Sequence, residues 1–178
     1  FYWKLPRQIP YPVTVSFGES LKPTATAQDI RLALQILGAD AVDYRRSKTD
    51  LLHYRFLDTA KRRPFTFCMA DSSGKNLNNI QTLAAGLMIA RRIRRRFRDE
   101  AAIGVLLPAS VGGALTNIGI QFSDKMPVNL NFTSGPDAMR NAVRQCDIRT
   151  VISSRRFMER VDFDPLPGTI FLEDLMEG

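Results

Sequence analysis

Four groups of residues in this chain are of types that could do chemistry. His53, the only histidine, stands five residues before Asp58 in HYRFLD. In a His-x-x-x-x-Asp pair of this kind the imidazole activates a hydroxyl and the carboxylate orients the ring. On a regular helix, however, residues five apart point about 140° from each other. Such a pair cannot hydrogen-bond, and we read His53 as a helix-surface residue. Thr133-Ser134-Gly135 opens like a phosphate-holding loop of the form Ser/Thr-Gly-Thr-Thr-Gly, but it continues as Pro136-Asp137-Ala138. Backbone N–H groups hold the phosphate in such loops, and proline has none. The stretch reads instead as a helix start, with Ser134 or Thr133 as cap and Pro136 in the first turn. Gly112-Gly113 follows Ser110 but forms neither a nucleophile elbow nor a dinucleotide fingerprint; close helix–strand packing accounts for it. The densest charge is Arg91–Arg98 (RRIRRRFR), six arginines at a helix C-terminus, where the macrodipole favours cations. It reads either as a solvated face or as a patch for an acidic partner. The candidate patch is Arg91, Arg94, Arg95 and Arg98, with Ile93 and Phe97 turned inward. We assign no catalytic, cofactor-binding or metal-binding residue.

The elements that must position these residues follow from periodicity. Ile103–Leu107 is a short apolar run closed by Pro108, suited to a strand buried on both faces. Ser110 caps a small-residue helix over Val111–Phe122, and Met126–Leu130 begins a second strand. Strand, crossover helix and strand make the unit of a parallel sheet. Upstream, Val13–Phe17 alternates and predicts a strand. A helix capped by Thr24 or Thr26 spans Ala27–Leu37 and stops at Gly38. Tyr44–Asp50 reads as a charged linker. A helix is expected over Leu51–Arg62, a strand over Phe65–Ala70 and a turn over Asp71–Lys75. A long helix over Asn79–Arg98 follows, with Ile80, Leu83, Leu87, Ala90, Ile93 and Phe97 as its apolar stripe. Downstream come a helix over Pro136–Cys146 with Ala138, Met139, Ala142 and Val143 inward, a strand over Thr150–Ser153, a short helix over Arg155–Val161 and a last strand over Thr169–Leu172. The expected fold class is α/β: a three-layer, mainly parallel sheet with flanking helices, preceded by a small strand–helix appendage.

The whole chain bounds these readings. Its 178 residues allow one good core, or a small domain plus an appendage. A net charge of +7 favours acidic partners such as anionic lipid, nucleic acid or an acidic protein. No stacking pattern or motif supports nucleic acid. Cys68 and Cys146 read as free thiols of a reducing compartment. No apolar run approaches the ~20 residues of a membrane span. The opening Phe1-Tyr2-Trp3 reads as the cut end of something longer.

Two stretches resemble known families. PYPVTVSFG (10–18) with IRLALQILGADA (30–41) resembles the C-terminal end of a glycerolipid acyltransferase domain, the family whose acid–base pair has the His-x-x-x-x-Asp spacing. From Tyr54 on, RFLDTAKRRPFTFCMADSSGK (55–75), GVLLPASVGGAL (104–115), PVNLNFTSG (127–135), IRTVISSRRF (148–157) and FLEDL (171–175) resemble the start of an AMP-forming, adenylate-forming acyl-acyl-carrier-protein synthetase domain. The tandem is similar to the bifunctional bacterial 2-acylglycerophosphoethanolamine acyltransferase/acyl-acyl-carrier-protein synthetases. The resemblance implies that residues 1–46 are an acyltransferase tail and residues 47–178 the first portion of the AMP-binding domain. It also implies a parent that activates a fatty acid with ATP and Mg²⁺, loads acyl carrier protein and acylates a lysophospholipid. That parent would be cytoplasmic and peripheral to, or tethered at, an anionic inner membrane. The family's catalytic pair would lie upstream of this span, and its phosphate loop and catalytic lysine downstream, so no functional residue carries over and the span alone is expected to be inactive. Leu77-Asn78-Asn79, where the family has Leu-Thr-Tyr, leaves the local helix start open. The alternatives are a non-catalytic basic module that binds acyl carrier protein or anionic lipid, and a complete small α/β enzyme.

Overall fold

In a computed structural model of the chain, residues 13, 15–45, 51–161 and 163–177 are described. The chain divides into two compact units, Phe1–Leu51 and Leu52–Gly178.

The described residues of the first unit hold one helix, α1 (Ala27–Arg45). Thr26 and Asp29 cap it reciprocally. The Asp29 carboxylate accepts from the Thr26 N–H at 2.8 Å and its hydroxyl at 2.7 Å, and the Thr26 hydroxyl accepts from the Asp29 N–H at 3.3 Å. The helix does not stop at Gly38 as expected. Gly38 keeps an ordinary helical φ, and its cost of roughly 1 kcal/mol within a helix is outweighed by the residues that follow it. Nor do the described residues among 13–17 form a strand; a strand needs a partner ladder, and none is present among the described residues of this unit. Of the expected linker, Tyr44 and Arg45 belong to α1, and residues 46–50 lie outside the described residues.

The second unit opens with α2 (Leu52–Arg62) and an antiparallel hairpin, β1 (Phe67–Ala70) and β2 (Asn76–Asn78). β2 was not expected from the pattern. Asn78 then caps α3 (Asn79–Arg96) in a capping box. Its side chain accepts from the Gln81 N–H at 2.9 Å, and the Gln81 side chain accepts from the Asn78 N–H at 3.0 Å. The Leu77-Asn78-Asn79 departure therefore still starts the helix, through an asparagine cap.

Next come β3 (Ala102–Val105), α4 (Val111–Phe122), β4 (Met126–Asn129), α5 (Pro136–Gln145), β5 (Val151–Ser153), α6 (Arg155–Met158), β6 (Thr169–Phe171) and α7 (Leu172–Glu177). The last strand is followed at once by α7, which takes Leu172 from the expected strand. The sheet order is β4-β3-β5-β6, parallel throughout. One core joins α3, α4 and α7 to one face of the sheet through Ile89, Ile93, Ile120 and Leu175. A second joins α5 and α6 to the other face through Met139 and Phe157. This is the expected three-layer parallel α/β arrangement.

Two expected details differ. The buried face of α3 is Thr82, Gly86, Ile89, Ala90 and Ile93, while Ile80 and Leu87 are 42% and 49% exposed. The cause is the crossing with α4. A Cβ on Gly119 would lie 2.7 Å from Ile89 Cβ, and one on Gly86 would lie 2.8 Å from Ile118 Cγ2. The two glycines set the contact face of α3, and the larger aliphatic residues turn away from it. At α5, neither Thr133 nor Ser134 is the cap. Both lie in a 3-10 turn (Phe132–Ser134) organised by Asn131, whose side chain accepts from the Thr133 N–H at 3.0 Å and hydroxyl at 2.8 Å. Gly135, at φ 85°, precedes Pro136 with no side-chain cap. In α5 Met139 is buried, but Ala138 is exposed.

Candidate functional site

β3 lies between β4 and β5. The chain leaves it through α4 toward β4, then returns through α5 on the opposite face to β5. Adjacent strands whose exits diverge leave a crevice at their carboxyl ends, where ligands of doubly wound sheets bind. An open cavity of about 600 Å³ occupies this end of the unit, between the β1–β2 turn and the exits of β3 and β4. Asp71, Leu107, Ser110, Val111, Asn117 and Asn129 are among the residues lining it.

Four of the cavity's polar side chains, Asp71, Ser110, Asn117 and Asn129, are already hydrogen-bonded within the unit. The Asp71 Oδ2 accepts from the Val111 N–H at 2.8 Å, and its Oδ1 from the Ser73 hydroxyl at 2.5 Å and N–H at 2.9 Å. The Ser73 hydroxyl, together with the Val111 N–H, holds the carboxyl below its ordinary value. Ser110 Oγ accepts from the Gly113 N–H at 3.2 Å. Asn117 and Asn129 exchange two amide hydrogen bonds of 3.0 Å each, and Asn117 also donates to the Gly113 carbonyl at 3.0 Å. The α4 N-terminus is the kind of place that can receive a phosphate. Here a carboxylate and a hydroxyl occupy it, and a phosphate would meet like charge. Among the described residues no group of three His, Cys, Asp or Glu side chains is placed to hold a metal ion. The residues of this unit do not fit a magnesium-bound triphosphate.

The arginine run lies elsewhere, on the outer side of α3. Arg91, Arg94, Arg95 and Arg98 are exposed, whereas Ile93 and Phe97 are buried. Arg91, Arg94 and Arg95 line a cleft of about 300 Å³ with Leu87, Ala90 and Phe122. Arg94 Nη2 donates to the Phe122 carbonyl at 2.5 Å. Arg98 does not line the cleft.

His53 is half-buried on α2. Its ring lies 4.5 Å from that of Tyr54 and meets the Phe122 ring edge-on at 5.8 Å. Asp58 is exposed on the same helix. Thr133 and Ser134 lie in the turn that Asn131 organises before α5, and Gly135 follows it. Gly113 packs against its own strand exit, where a Cβ would lie 2.7 Å from the Pro108 carbonyl oxygen. Cys68 and Cys146 are both free. Among the described residues no helix is long and apolar enough to cross a membrane. Sequence reasoning did not find the Asp71–Val111 contact. Asp71-Ser72-Ser73-Gly74 announces a turn, but nothing local announces a partner 40 residues away.

No family model matches the sequence. Solved structures do share the fold. The nonribosomal peptide synthetase FmoA3 superposes with a TM-score of 0.61 at 18% identity, covering 71% of this chain and 14% of that one. The N-terminal subdomain of Klebsiella oxytoca NpsA, in complex with 3-hydroxybenzoyl-AMSN, gives 0.61 at 10% identity over 71% and 31%. The O-succinylbenzoate coenzyme A synthetase MenE of Bacillus subtilis, in complex with ATP and magnesium ion, gives 0.60 at 12% over 69% and 33%. The chain thus spans a third or less of the length of these proteins. Its fold is that of the N-terminal part of an adenylate-forming domain.

Proposed function

We propose that this chain is the junction of a two-part lipid-metabolic enzyme. Residues 47–178 are the leading portion of an AMP-forming fatty acyl-acyl-carrier-protein synthetase domain, and residues 1–46 the tail of a glycerolipid acyltransferase. The observation that carries the reading is the β4-β3-β5-β6 parallel sheet with its crevice at the strand exits, the arrangement shared with the N-terminal part of adenylate-forming domains. The acyltransferase assignment rests on the 10–18 and 30–41 stretches. It is supported by α1, whose exposed Leu32, Leu34, Ile36 and Val42 suit a helix packed within a larger domain.

In the parent, ATP activates the carboxylate of a fatty acid as an acyl adenylate. The groups that hold the triphosphate and its Mg²⁺ come from outside this unit, because Asp71 and Ser110 fill the one long-helix N-terminus in its cavity. The chain's own contribution is scaffolding. The sheet fixes the floor of the domain, and the Asp71 contact ties the hairpin to the strand exits. Acyl carrier protein is the acceptor, and the outer face of α3 with Arg91, Arg94, Arg95 and Arg98 faces acidic partners, the carrier protein or an anionic membrane surface. The parent works on the cytoplasmic side of that membrane.

The test is fatty-acid-dependent ATP–pyrophosphate exchange, with transfer of the acyl group to carrier protein, in the natural-length protein that contains this sequence. Exchange is expected there and not in the 178-residue chain. Exchange driven by amino acids or aryl acids in place of fatty acids would overturn the substrate class. Absence of exchange with every carboxylic acid tried would overturn the adenylation reading.

A further inference from the structure

The outer face of α3 changes character along its length. Its N-terminal part exposes Ile80, Leu87 and Met88, its C-terminal part exposes Arg91, Arg94 and Arg95, and Arg98 is exposed just beyond its end. At about 100° per residue, Ile80, Leu87, Arg91, Arg94 and Arg95 fall in one stripe roughly 100° wide. Where this stripe meets the C-terminal end of α4 it becomes concave. Leu87, Ala90 and Phe122 line it together with Arg91, Arg94 and Arg95. None of the four arginines makes an ion pair among the described residues. Arg91 and Arg95 are four residues apart on α3, the spacing at which like charges repel on a helix. The bond from Arg94 to the Phe122 carbonyl holds one guanidinium at the cleft. A hollow lined both by apolar side chains and by cations without ion pairs among the described residues is complementary to an anionic surface that carries an apolar projection.

We propose that this cleft is a docking site for an acidic amphipathic helix of a partner protein. One apolar side chain of that helix enters between Leu87 and Phe122, and carboxylates on either side pair with Arg91, Arg94 and Arg95. The proposal rests on, and deepens, the carrier-protein reading given above. Docking of this kind is the helix-in-groove mode of recognition. It differs from membrane attachment, in which apolar side chains project beyond the charged collar into the bilayer; here apolar and cationic residues line one concave cleft.

The experiment measures binding of the full chain to two probes, purified acyl carrier protein and a synthetic helix of about four turns with glutamates around a single leucine. Vesicles of phosphatidylglycerol and phosphatidylcholine serve as the competing surface. At low salt Arg91→Glu/Arg95→Glu is expected to weaken binding by about tenfold or more. The difference should vanish near 1 M salt, where the Debye length is ~3 Å. Arg91→Gln/Arg95→Gln makes the same test without placing acid at a helix C-terminus. Leu87→Ser, at a half-exposed position, is expected to weaken binding by about three- to fivefold at both salt concentrations. If the arginine variants act and Leu87→Ser does not, the cleft is only a charged face and the proposal is overturned; binding to vesicles alone overturns it too. If the synthetic helix binds and responds while carrier protein does not bind, the cleft stands and the carrier reading fails. If carrier protein binds and no variant matters, the reading stands and the cleft fails.

Discussion

Asp71 accepts three hydrogen bonds through two oxygens: two from Ser73 of its own turn, and a third that joins that turn to a helix beginning 40 residues later. Its carboxyl is held below the ordinary value of 3.8, first by the Ser73 hydroxyl and then by the Val111 N–H. A depressed folded-state pKa contributes stability that is present above 3.8 and is lost as pH falls through the folded value. Asp29, lowered by Thr26, behaves the same way in the other unit. The contribution of Asp71 is therefore read by difference. From neutral pH down to about pH 3, the melting temperature of wild type should fall further than that of Asp71→Asn, because the amide has no charge to lose. Equal falls would mean that the contact adds nothing. His53 belongs to the same scale. Its ring packs on Tyr54 and Phe122, and Asp58 lies five positions further along the same helix. On the proposed function, His53→Ala in the natural-length protein should leave acyl transfer nearly unchanged. A loss of ~10²-fold, the scale of removing a general base, would make His53 catalytic.

Among the elements, the crossing of α3 and α4 decides most. Gly119 faces Ile89, and Gly86 faces Ile118, so the two helices approach more closely than any side chain at those positions permits. Gly119→Val should destabilise the unit by about 1–3 kcal/mol through overpacking. Ile89→Ala in the same molecule should recover part of that loss, giving a non-additive double-mutant cycle in denaturant melts. Strict additivity would mean that the two residues do not meet. The same crossing shows why the elements were more legible than their faces. The strands within 102–105, 126–129, 151–153 and 169–171 and the helices around them follow from short apolar runs, prolines and capping residues, all of which act locally. The burial of α3 does not, since an apolar count favours Ile80 and Leu87 while the contact is made by Gly86 and Thr82. The arginines of the candidate site were legible as a run of like charge. The hollow beside them was not, because Leu87 read as core and because nothing in the sequence brings Phe122 to it. At α5 the cap was misplaced because Asn131 engages the expected caps themselves: its side chain takes the Thr133 N–H and hydroxyl, and its carbonyl takes the Ser134 hydroxyl.

At the scale of the whole molecule, the sheet of the second unit has two ends of different chemistry. The N–H of Met126 bonds to the Ala101 carbonyl and that of Leu130 to the Val105 carbonyl, both at 2.9 Å. Even-numbered residues of β4 therefore point their N–H groups at β3, and Pro127 and Asn129 point outward. The outward position at 127 has no N–H to offer. A chain pairing along β4 would leave one of its carbonyls unanswered, the device by which natural sheets discourage strangers at their margins. β6, Thr169-Ile170-Phe171, has no proline. Growth of this sheet is thus polar, closed at one margin and open at the other. Any strand added by the rest of a larger protein, or by a second copy at high concentration, should join along β6. Raising the protein concentration should slow hydrogen exchange at the Phe171 amide while the Asn129 amide stays as fast as before. Protection arriving first at Asn129 would reverse the direction.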